Sequence, residues 1–152
     1  MADKQIEWTD LSHGLETSKL LKEMTKEGGK VYPHKRPKWK LNYDTAVLWF
    51  SIINREVFDD ALPKPDILEI RRRHGCWAEV ECWLNEEEQA VFHLSLHNRF
   101  KSKKHFLKVL GHEMVHMMEY LTTGKMTHHG ESFSKWIPVF AEHKLKLQIK
   151  PD

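Results

Sequence analysis

The stretch from Gly111 to His116 constrains this chain more than any other part of its sequence. It places two histidines four positions apart, with a glutamate directly after the first. On an α-helix, a step of four residues returns to nearly the same face about 6 Å further along, so the imidazoles of His112 and His116 can reach one metal ion. Glu113 lies about a quarter-turn away, where its carboxylate can touch a water on that metal without binding the metal. The pattern therefore predicts a helix that presents a metal site.

This H-E-x-x-H spacing is typical of zinc-dependent peptidases. Zinc lowers the pKa of a bound water to about 7, and a neighbouring carboxylate can accept the proton and later pass it to a leaving amine. The chain has 11 histidines, so the same spacing can also arise by chance on an ordinary surface helix. A catalytic zinc usually takes three protein ligands, and the motif supplies two. Candidates for the third ligand lie downstream of the motif: Glu119, His128, His129, Glu131, Glu142 and His143.

The chain has 152 residues and a mass of 18.1 kDa, enough for one domain with a buried core. Its net charge of +2 and isoelectric point of 8.5 permit contact with nucleic acid but do not argue for it. The N-terminal residues lack the apolar core of a signal peptide, and no apolar run approaches a membrane span. If Cys76 and Cys82 share one face of a strand, they lie about 20 Å apart, too far for a disulfide. We therefore expect free thiols and a cytoplasmic protein.

Residues 1–43 form a predicted N-terminal arm, which precedes a domain at 44–152. Apolar residues at helical spacing near the middle of the arm indicate a short helix. The following linker, Lys30–Lys40, carries basic residues and no acidic one, interleaved with Tyr32 and Trp39. Such a segment can bind nucleic acid through charge and stacking. The alternative, which we favour, is a solvated linker whose aromatic side chains pack back on the domain.

The domain contains helical patterns at three places. Their predicted bounds are 44–58, 102–121 and 130–143. Asp44 is a suitable N-cap for the first helix and Ser102 for the second, which carries the motif. Gly124 is suited to the left-handed C-cap that would end the motif helix. Pro138 lies inside the last helix and is expected to kink it.

Strand patterns lie between the first two helices. The alternating segments are Ile67–Arg73, Cys76–Leu84 and Ala90–Leu96. The short polar connection between the last two indicates that they pair antiparallel. The basic run Arg71 to His74 is interpreted as the exposed end of a strand and its turn. The tail, Lys144–Asp152, alternates apolar and polar residues and is a candidate closing strand.

Several segments, in order, resemble the SprT-like metalloprotease domain, the family of bacterial SprT and of the DNA–protein crosslink protease Spartan. The family pattern begins with a helix that ends near F-x-x-x-L-P, as in Phe58–Pro63, and continues with an h-x-L-S strand, as in Val91–Leu96. The motif helix follows, with Leu110–His116, and then H-G-x-x-F, which is His129–Phe133 in this chain. The resemblance covers about residues 45–140.

The resemblance implies an α+β fold with a zincin-like metalloprotease core. Its elements would be an N-terminal helix, a small, mostly antiparallel sheet of about three strands, the motif helix and a C-terminal helix. The resemblance also implies that His112, His116 and His129 bind one catalytic zinc ion and that Glu113 is the catalytic base. His128 is the fallback for the third ligand. Family members often add a cysteine-rich zinc ribbon, and this chain has no such cysteines.

The expected activity is therefore zinc-dependent endopeptidase cleavage of a protein or peptide. An extended substrate segment is expected to pair with an edge strand, for which Ala90–His97 is the candidate. Candidates for stabilising the oxyanion are His97, Arg99 and Tyr120. The alternatives are a protein-binding or nucleic-acid-binding module in which the metal has a structural role, and a metal-dependent hydrolase of another substrate. The intact Glu113 argues against a purely structural site, because such a site needs no base.

DNA is a further candidate partner, because the chain has three basic segments. These are Lys30–Lys40, Arg71–Arg73 and Lys101–Lys104. Positive charge at the start of the motif helix opposes the helix dipole, so Lys101–Lys104 suits a ligand better than it suits helix stability. We expect a monomer with no membrane contact, in the cytoplasm of a bacterium or of a virus-infected cell. The nucleoid or the nucleus would be the location if the protein associates with DNA.

Overall fold

The computed structural model describes residues 37–126, 129–145 and 147. The helix expected in the N-terminal arm, and the part of the basic linker before Pro37, lie outside the described residues. The elements along the chain are β1 (Trp39–Lys40), α1 (Tyr43–Phe58), β2 (Ile67–Arg71), β3 (Ala78–Leu84), β4 (Ala90–His97), β5 (Arg99–Phe100), α2 (Lys103–Thr123), α3 (Glu131–Ser134) and α4 (Trp136–Glu142). They form a mixed α+β fold, as the sequence predicts.

The described residues contain two small sheets. In the larger sheet β4 lies between β2 and β3, and in the smaller one β1 pairs antiparallel with β5. β3 and β4 pair antiparallel, with Val80 opposite Leu94, which confirms the predicted hairpin. β2 runs parallel to β4, with Leu68 opposite the same Leu94, so this sheet is mixed rather than mostly antiparallel. Because β4 is the central strand, the expectation that Ala90–His97 forms an edge is wrong.

Side chains cap the two long helices. The N-cap of α1 is Asn42 rather than Asp44: its Oδ1 accepts a hydrogen bond from the backbone N–H of Thr45 at 2.8 Å. Asp44 lies two positions further, in the first turn, where its negative charge interacts favourably with the helix dipole. The predicted caps of α2 are confirmed, since Ser102 Oγ accepts a backbone N–H at 3.0 Å and Gly124 has a φ of 77°.

The last predicted helix is divided into α3 and α4 at Lys135. Pro138 is the third residue of α4 and has no N–H to donate to the preceding turn, so a continuous helix through this point would lose a hydrogen bond. Beyond α4, Leu147 is 5% exposed and belongs to the core. Most of the tail that was predicted as a closing strand lies outside the described residues.

The core lies between the larger sheet and the helices. β4 contributes Phe92, Leu94 and Leu96, which are fully buried. The helices supply the remaining large buried side chains, including Ile52, Ile53, Phe106, Leu110, Met114, Phe133 and Phe140. Cys76 and Cys82 are free thiols, as predicted. Within the described residues, no helix combines the length and the apolar character that a membrane span requires.

Candidate metal centre

The helix α2 carries the motif residues on its buried side. His112 and Glu113 are buried, and His116 is partly buried. The ring centroids of His112 and His116 are 4.9 Å apart, which is the arrangement expected from a step of four residues on a helix. Phe133 of α3, which is fully buried, lies against both imidazoles, with ring centroids at 4.9 and 5.1 Å. An apolar ring therefore supports the two histidines from one side.

His129 brings a third imidazole to the same place. Its Nε2 atom lies 3.0 Å from Nε2 of His112 and 3.3 Å from Nε2 of His116. The backbone of His129 has a φ of 61°, in the left-handed region that costs a residue other than glycine about 1 kcal/mol or more. Strained backbone of this kind occurs preferentially at functional sites. Gly130 follows and is the N-cap of α3.

The three histidines fit a divalent transition-metal ion. One nitrogen from each ring lies within 4.8 Å of the other two. Zinc–nitrogen bonds of about 2.0–2.1 Å hold the nitrogens of a tetrahedral site about 3.3–3.4 Å apart, close to the observed separations. Imidazole is also the ligand type that suits zinc, copper, iron and nickel. The structure thus brings together the three residues that the sequence analysis selected as ligands.

The buried carboxyl group of Glu113 lies next to β3. It accepts a hydrogen bond from the backbone N–H of Val80. Burial raises the pKa of Glu113 to about 7, and the nearby Glu79 carboxylate acts in the same direction. The Arg73 guanidinium and the Val80 N–H act in the opposite direction. A carboxyl group with a pKa near neutrality can both accept and donate a proton at physiological pH.

The sequence predicts that Arg73 lies in an exposed turn, but the structure shows its side chain largely buried. Its side chain is 8% exposed and forms an ion pair with Glu79, with the Nη2 and Oε1 atoms 2.9 Å apart. The guanidinium also donates a hydrogen bond to the hydroxyl of Ser95, on the central strand. These contacts remove Arg73 from the basic surface and place its charge near the carboxyl of Glu113.

Glu119 contacts the histidine cluster, and Ser132 contacts Glu119. Glu119 is 1% exposed, and its Oε1 lies 2.7 Å from Nδ1 of His116. Its Oε2 accepts a hydrogen bond from the hydroxyl of Ser132 on α3. Glu119, one of the candidate ligands, therefore contacts His116 but is not a member of the group that can hold an ion. Nothing in the sequence pointed to Ser132, whereas Glu119 was recognisable from its place one turn after His116.

The other candidate ligands lie outside the cluster or outside the described residues. His128 is not among the described residues. Glu131 and Glu142 are exposed on α3 and α4, and the group that can hold an ion contains neither. Among the oxyanion candidates, His97 accepts a hydrogen bond from the N–H of Arg99 at 3.0 Å, and Tyr120 packs edge-on against Phe92. The oxyanion role of these residues stays a prediction.

Basic segments that are far apart in the sequence meet at the end of the molecule where α2 begins. Lys40 of β1 lies opposite Arg99 of β5. The N–H of Asn98, next to Arg99, donates to the carbonyl of Arg71 at 3.1 Å. Lys101 follows, with its Nζ atom 5.9 Å from the centre of the partly exposed Trp77 ring. The fold therefore combines positive charge and an aromatic surface at this end.

Comparison with known proteins identifies the family. A model of the SprT-like family matches residues 46–151, which include most of α1, the whole larger sheet and the complete histidine cluster. Neither the curated proteins nor the solved structures contain a match. Since the match covers well over half of the sequence, the chain is a member of the SprT-like family.

Proposed function

We propose that this protein is a zinc-dependent endopeptidase of the SprT-like type. His112, His116 and His129 hold the zinc ion, and Glu113 is the general base. The observation that carries this proposal is the convergence of three imidazole nitrogens within 4.8 Å of one another. The buried carboxyl group of Glu113 lies on the same helix as His112 and His116. Membership of the SprT-like family supports a metalloprotease-like domain with a zincin-like core.

The residues of the chain divide the work of hydrolysis. A zinc ion, when bound, supplies a Lewis acid that acidifies water and polarises the scissile carbonyl. Glu113 takes the proton from the attacking water and holds it on a carboxyl oxygen. Its pKa of about 7 allows the same group to transfer that proton to the leaving amine. Phe133 packs behind the imidazoles and excludes water from that side.

The substrate segment is proposed to lie along β3, which takes the place of the edge strand first assigned to Ala90–His97. Within the described residues β3 pairs only with β4, so its other side can pair with an extended peptide. β3 also adjoins the site, because Val80 donates its N–H to Glu113. In addition, Cys82 Sγ lies 3.6 Å from Sδ of Met126, three residues before His129. Pairing through the backbone would make few demands on substrate sequence.

Replacement of Glu113 by glutamine tests the catalytic role. Glutamine keeps the shape of the side chain but cannot accept the proton, so we expect cleavage of an unstructured protein such as casein to fall about 10²–10⁴-fold. Zinc content, measured by elemental analysis, should equal that of the wild type. The matched control is Glu142→Gln, an exposed carboxylate on α4 that should retain full activity.

The outcome separates the base from the metal site. Cleavage by Glu113→Gln at the wild-type rate would refute the assignment of the base. His129→Ala should bind zinc more weakly and lose activity. Wild-type zinc content in that variant would exclude His129 as a ligand and leave the third position to another residue.

A second proposed function is contact with nucleic acid, which would make DNA-associated proteins the substrates. The observation in its favour is the end of the molecule at which the backbones of Lys40, Arg71 and Arg99 come together, with Lys101 Nζ 5.9 Å from the centre of the Trp77 ring. Basic side chains neutralise phosphate groups, and a partly exposed aromatic ring such as that of Trp77 can stack on unpaired bases. Arg73 is excluded from this surface because its guanidinium is engaged with Glu79 and Ser95.

Charge reversal tests the nucleic-acid contact. The double variant K40E/K101E should weaken binding to single-stranded DNA at least about tenfold and reduce the salt dependence of binding by about two phosphate contacts. The control K64E/K135E changes two exposed lysines elsewhere and gives the same net charge. Equal binding by both variants would exclude this surface. Salt-dependent binding by a protein without any hydrolytic activity would favour the alternative, a metal-containing binding module.

A further inference from the structure

Glu119 is a buried carboxylate that touches two of the segments forming the histidine cluster. It lies on α2, one turn after His116, and is 1% exposed. One carboxylate oxygen is 2.7 Å from Nδ1 of His116. The other accepts a hydrogen bond from the hydroxyl of Ser132, which lies on α3. A single side chain therefore links the motif helix to the segment that carries the third histidine.

The burial of this carboxylate calls for an explanation. Transfer of a carboxylate from water into the interior is costly unless hydrogen bonds compensate it. Hydrogen bonds to a charged acceptor are about twice as strong as those between neutral groups. An apolar side chain of the same size would fill this position without the cost of desolvating a carboxylate. Its contacts with His116 and Ser132 compensate part of that cost for Glu119.

The contact with His116 orients one ring of the cluster. As a carboxylate Glu119 can only accept, and the hydrogen atom of the shared bond then lies on Nδ1 of His116. The lone pair of that ring then lies on Nε2, the atom that faces His129 at 3.3 Å. Glu119 thus holds His116 in the tautomer that a metal ion bound at Nε2 requires.

The contact with Ser132 fixes the segment that supplies the third ring. Ser132 lies three residues after His129, whose backbone is held at a φ of 61°. His129 is contributed from outside the motif helix, and bringing it back to α2 has an entropic cost. A hydrogen bond from Ser132 to a buried acceptor on α2 ties this segment to the motif helix.

We propose that Glu119 and Ser132 are positioning residues that assemble the metal site, Glu119 by fixing the ring of His116 and Ser132 by anchoring the segment of His129. The inference rests on the metal site of the proposed function and adds two residues to it. The affinity for the metal then depends partly on the hydrogen bond between Ser132 and Glu119, although neither residue is a ligand.

A double-mutant cycle tests the role of Ser132. Zinc dissociation constants are measured by competition with a chromogenic chelator for the wild type, Ser132→Ala, His129→Ala and the double variant. We expect Ser132→Ala to weaken zinc binding about tenfold in the wild-type background. In the His129→Ala background the same change should have an effect of less than about twofold. The control is Ser134→Ala, on the same short helix, which should leave the dissociation constant unchanged.

Substitutions of Glu119 test the other half of the proposal. Glutamine can still accept from His116 and donate to Ser132, whereas alanine can do neither. Zinc affinity should therefore fall in the order wild type, Glu119→Gln, Glu119→Ala, and the total loss should be about 10–100-fold. The melting temperature in excess chelator is measured in parallel, so that a general loss of folding can be separated from a loss of zinc.

Each outcome has a distinct meaning. Wild-type zinc affinity in Glu119→Ala, or an equal effect of Ser132→Ala with and without His129, would overturn the positioning role while leaving the zinc site intact. Failure of the wild-type protein to bind zinc would overturn the proposed function and the positioning role together. An affinity loss that depends on His129 and occurs without a matching fall in the chelated melting temperature supports the proposal.

Discussion

Replacement of Gly111 by alanine tests how closely the metal-site helix packs against α4. Gly111 is buried on α2, and a Cβ atom placed there would lie 2.8 Å from Cε2 of Phe140. Ordinary contact between carbon atoms begins at about 3.5 Å, so the ring or the helix would have to move by about 0.7 Å. Phe140 is 2% exposed and packs edge-on against Phe58, with ring centroids 5.8 Å apart, so it has little room to retreat.

Two effects of opposite sign determine the magnitude. Alanine is a better helix former than glycine by about 1 kcal/mol in a helix interior. Overpacking of a close-packed core costs about 1–3 kcal/mol. We therefore expect Gly111→Ala to lower the free energy of unfolding by about 1 kcal/mol, which corresponds to a melting temperature about 4 °C lower in a protein of this size.

A second background separates the two effects. In a Phe140→Leu variant the ring edge that Cβ would meet is absent, and the helix-propensity gain remains. Gly111→Ala should then raise stability by up to about 1 kcal/mol, which gives a coupling energy of about 2 kcal/mol between the two positions. The assay is urea unfolding followed by circular dichroism, in excess chelator, for the four members of the cycle. An effect of Gly111→Ala that is the same in both backgrounds would refute the reasoning.

Three further predictions concern groups outside the cluster. Burial raises the pKa of the Cys82 thiol to about 12, so at pH 8 only about 10⁻⁴ of it is thiolate. Iodoacetamide should therefore alkylate the exposed Cys76 first, as followed by peptide mass spectrometry, and equal rates at the two cysteines would contradict this. The buried Asn54 amide bonds both backbone groups of Leu62, at 2.8 and 3.0 Å, so Asn54→Ala should cost about 2–4 kcal/mol in urea unfolding; a loss below about 1 kcal/mol would show that water replaces it. Ser102→Ala removes the N-cap of α2 and should cost about 1 kcal/mol in thermal unfolding, while Ser102→Asp should not.

The motif helix is predictable because its signals are local. The caps Ser102 and Gly124 lie at its two ends, and the helical period alone places His112 and His116 side by side. The same local reasoning is only approximately right for α1. Two residues with cap-forming side chains, Asn42 and Asp44, lie two positions apart there, and propensity does not distinguish them.

Strand order is not a local property, and its prediction was wrong. Alternation assigns the faces of a strand but not its neighbours, so the sequence does not show that the hairpin folds back to place β4 beside β2. The structure shows that both faces of β4 are covered, since Ser95 is 5% exposed between two fully buried leucines, Leu94 and Leu96. In the sequence the same residues alternate between apolar and polar, which gives no sign of this burial.

Long-range contacts between side chains could not be predicted from the sequence either. Arg73 appears in a run of basic residues, and only the folded chain brings it to Ser95 and Glu79. Ser132 likewise reaches a partner 13 positions away in Glu119. No period or spacing rule connects such residues, because they meet only after the sheet and helices have packed.

The hydrogen bond that holds the segment of His129 affects how folding and metal binding depend on each other. Neutral imidazoles do not repel one another, so the chain can bring His112, His116 and His129 together without an ion. Because the hydrogen bond from Ser132 to Glu119 holds the third segment, metal binding need not order a loop, and the affinity is not reduced by the cost of that ordering. We therefore expect chelation to lower the melting temperature and leave the far-ultraviolet circular dichroism unchanged at 25 °C. A loss of helical signal on metal removal would mean that the ion orders this segment and would contradict the argument.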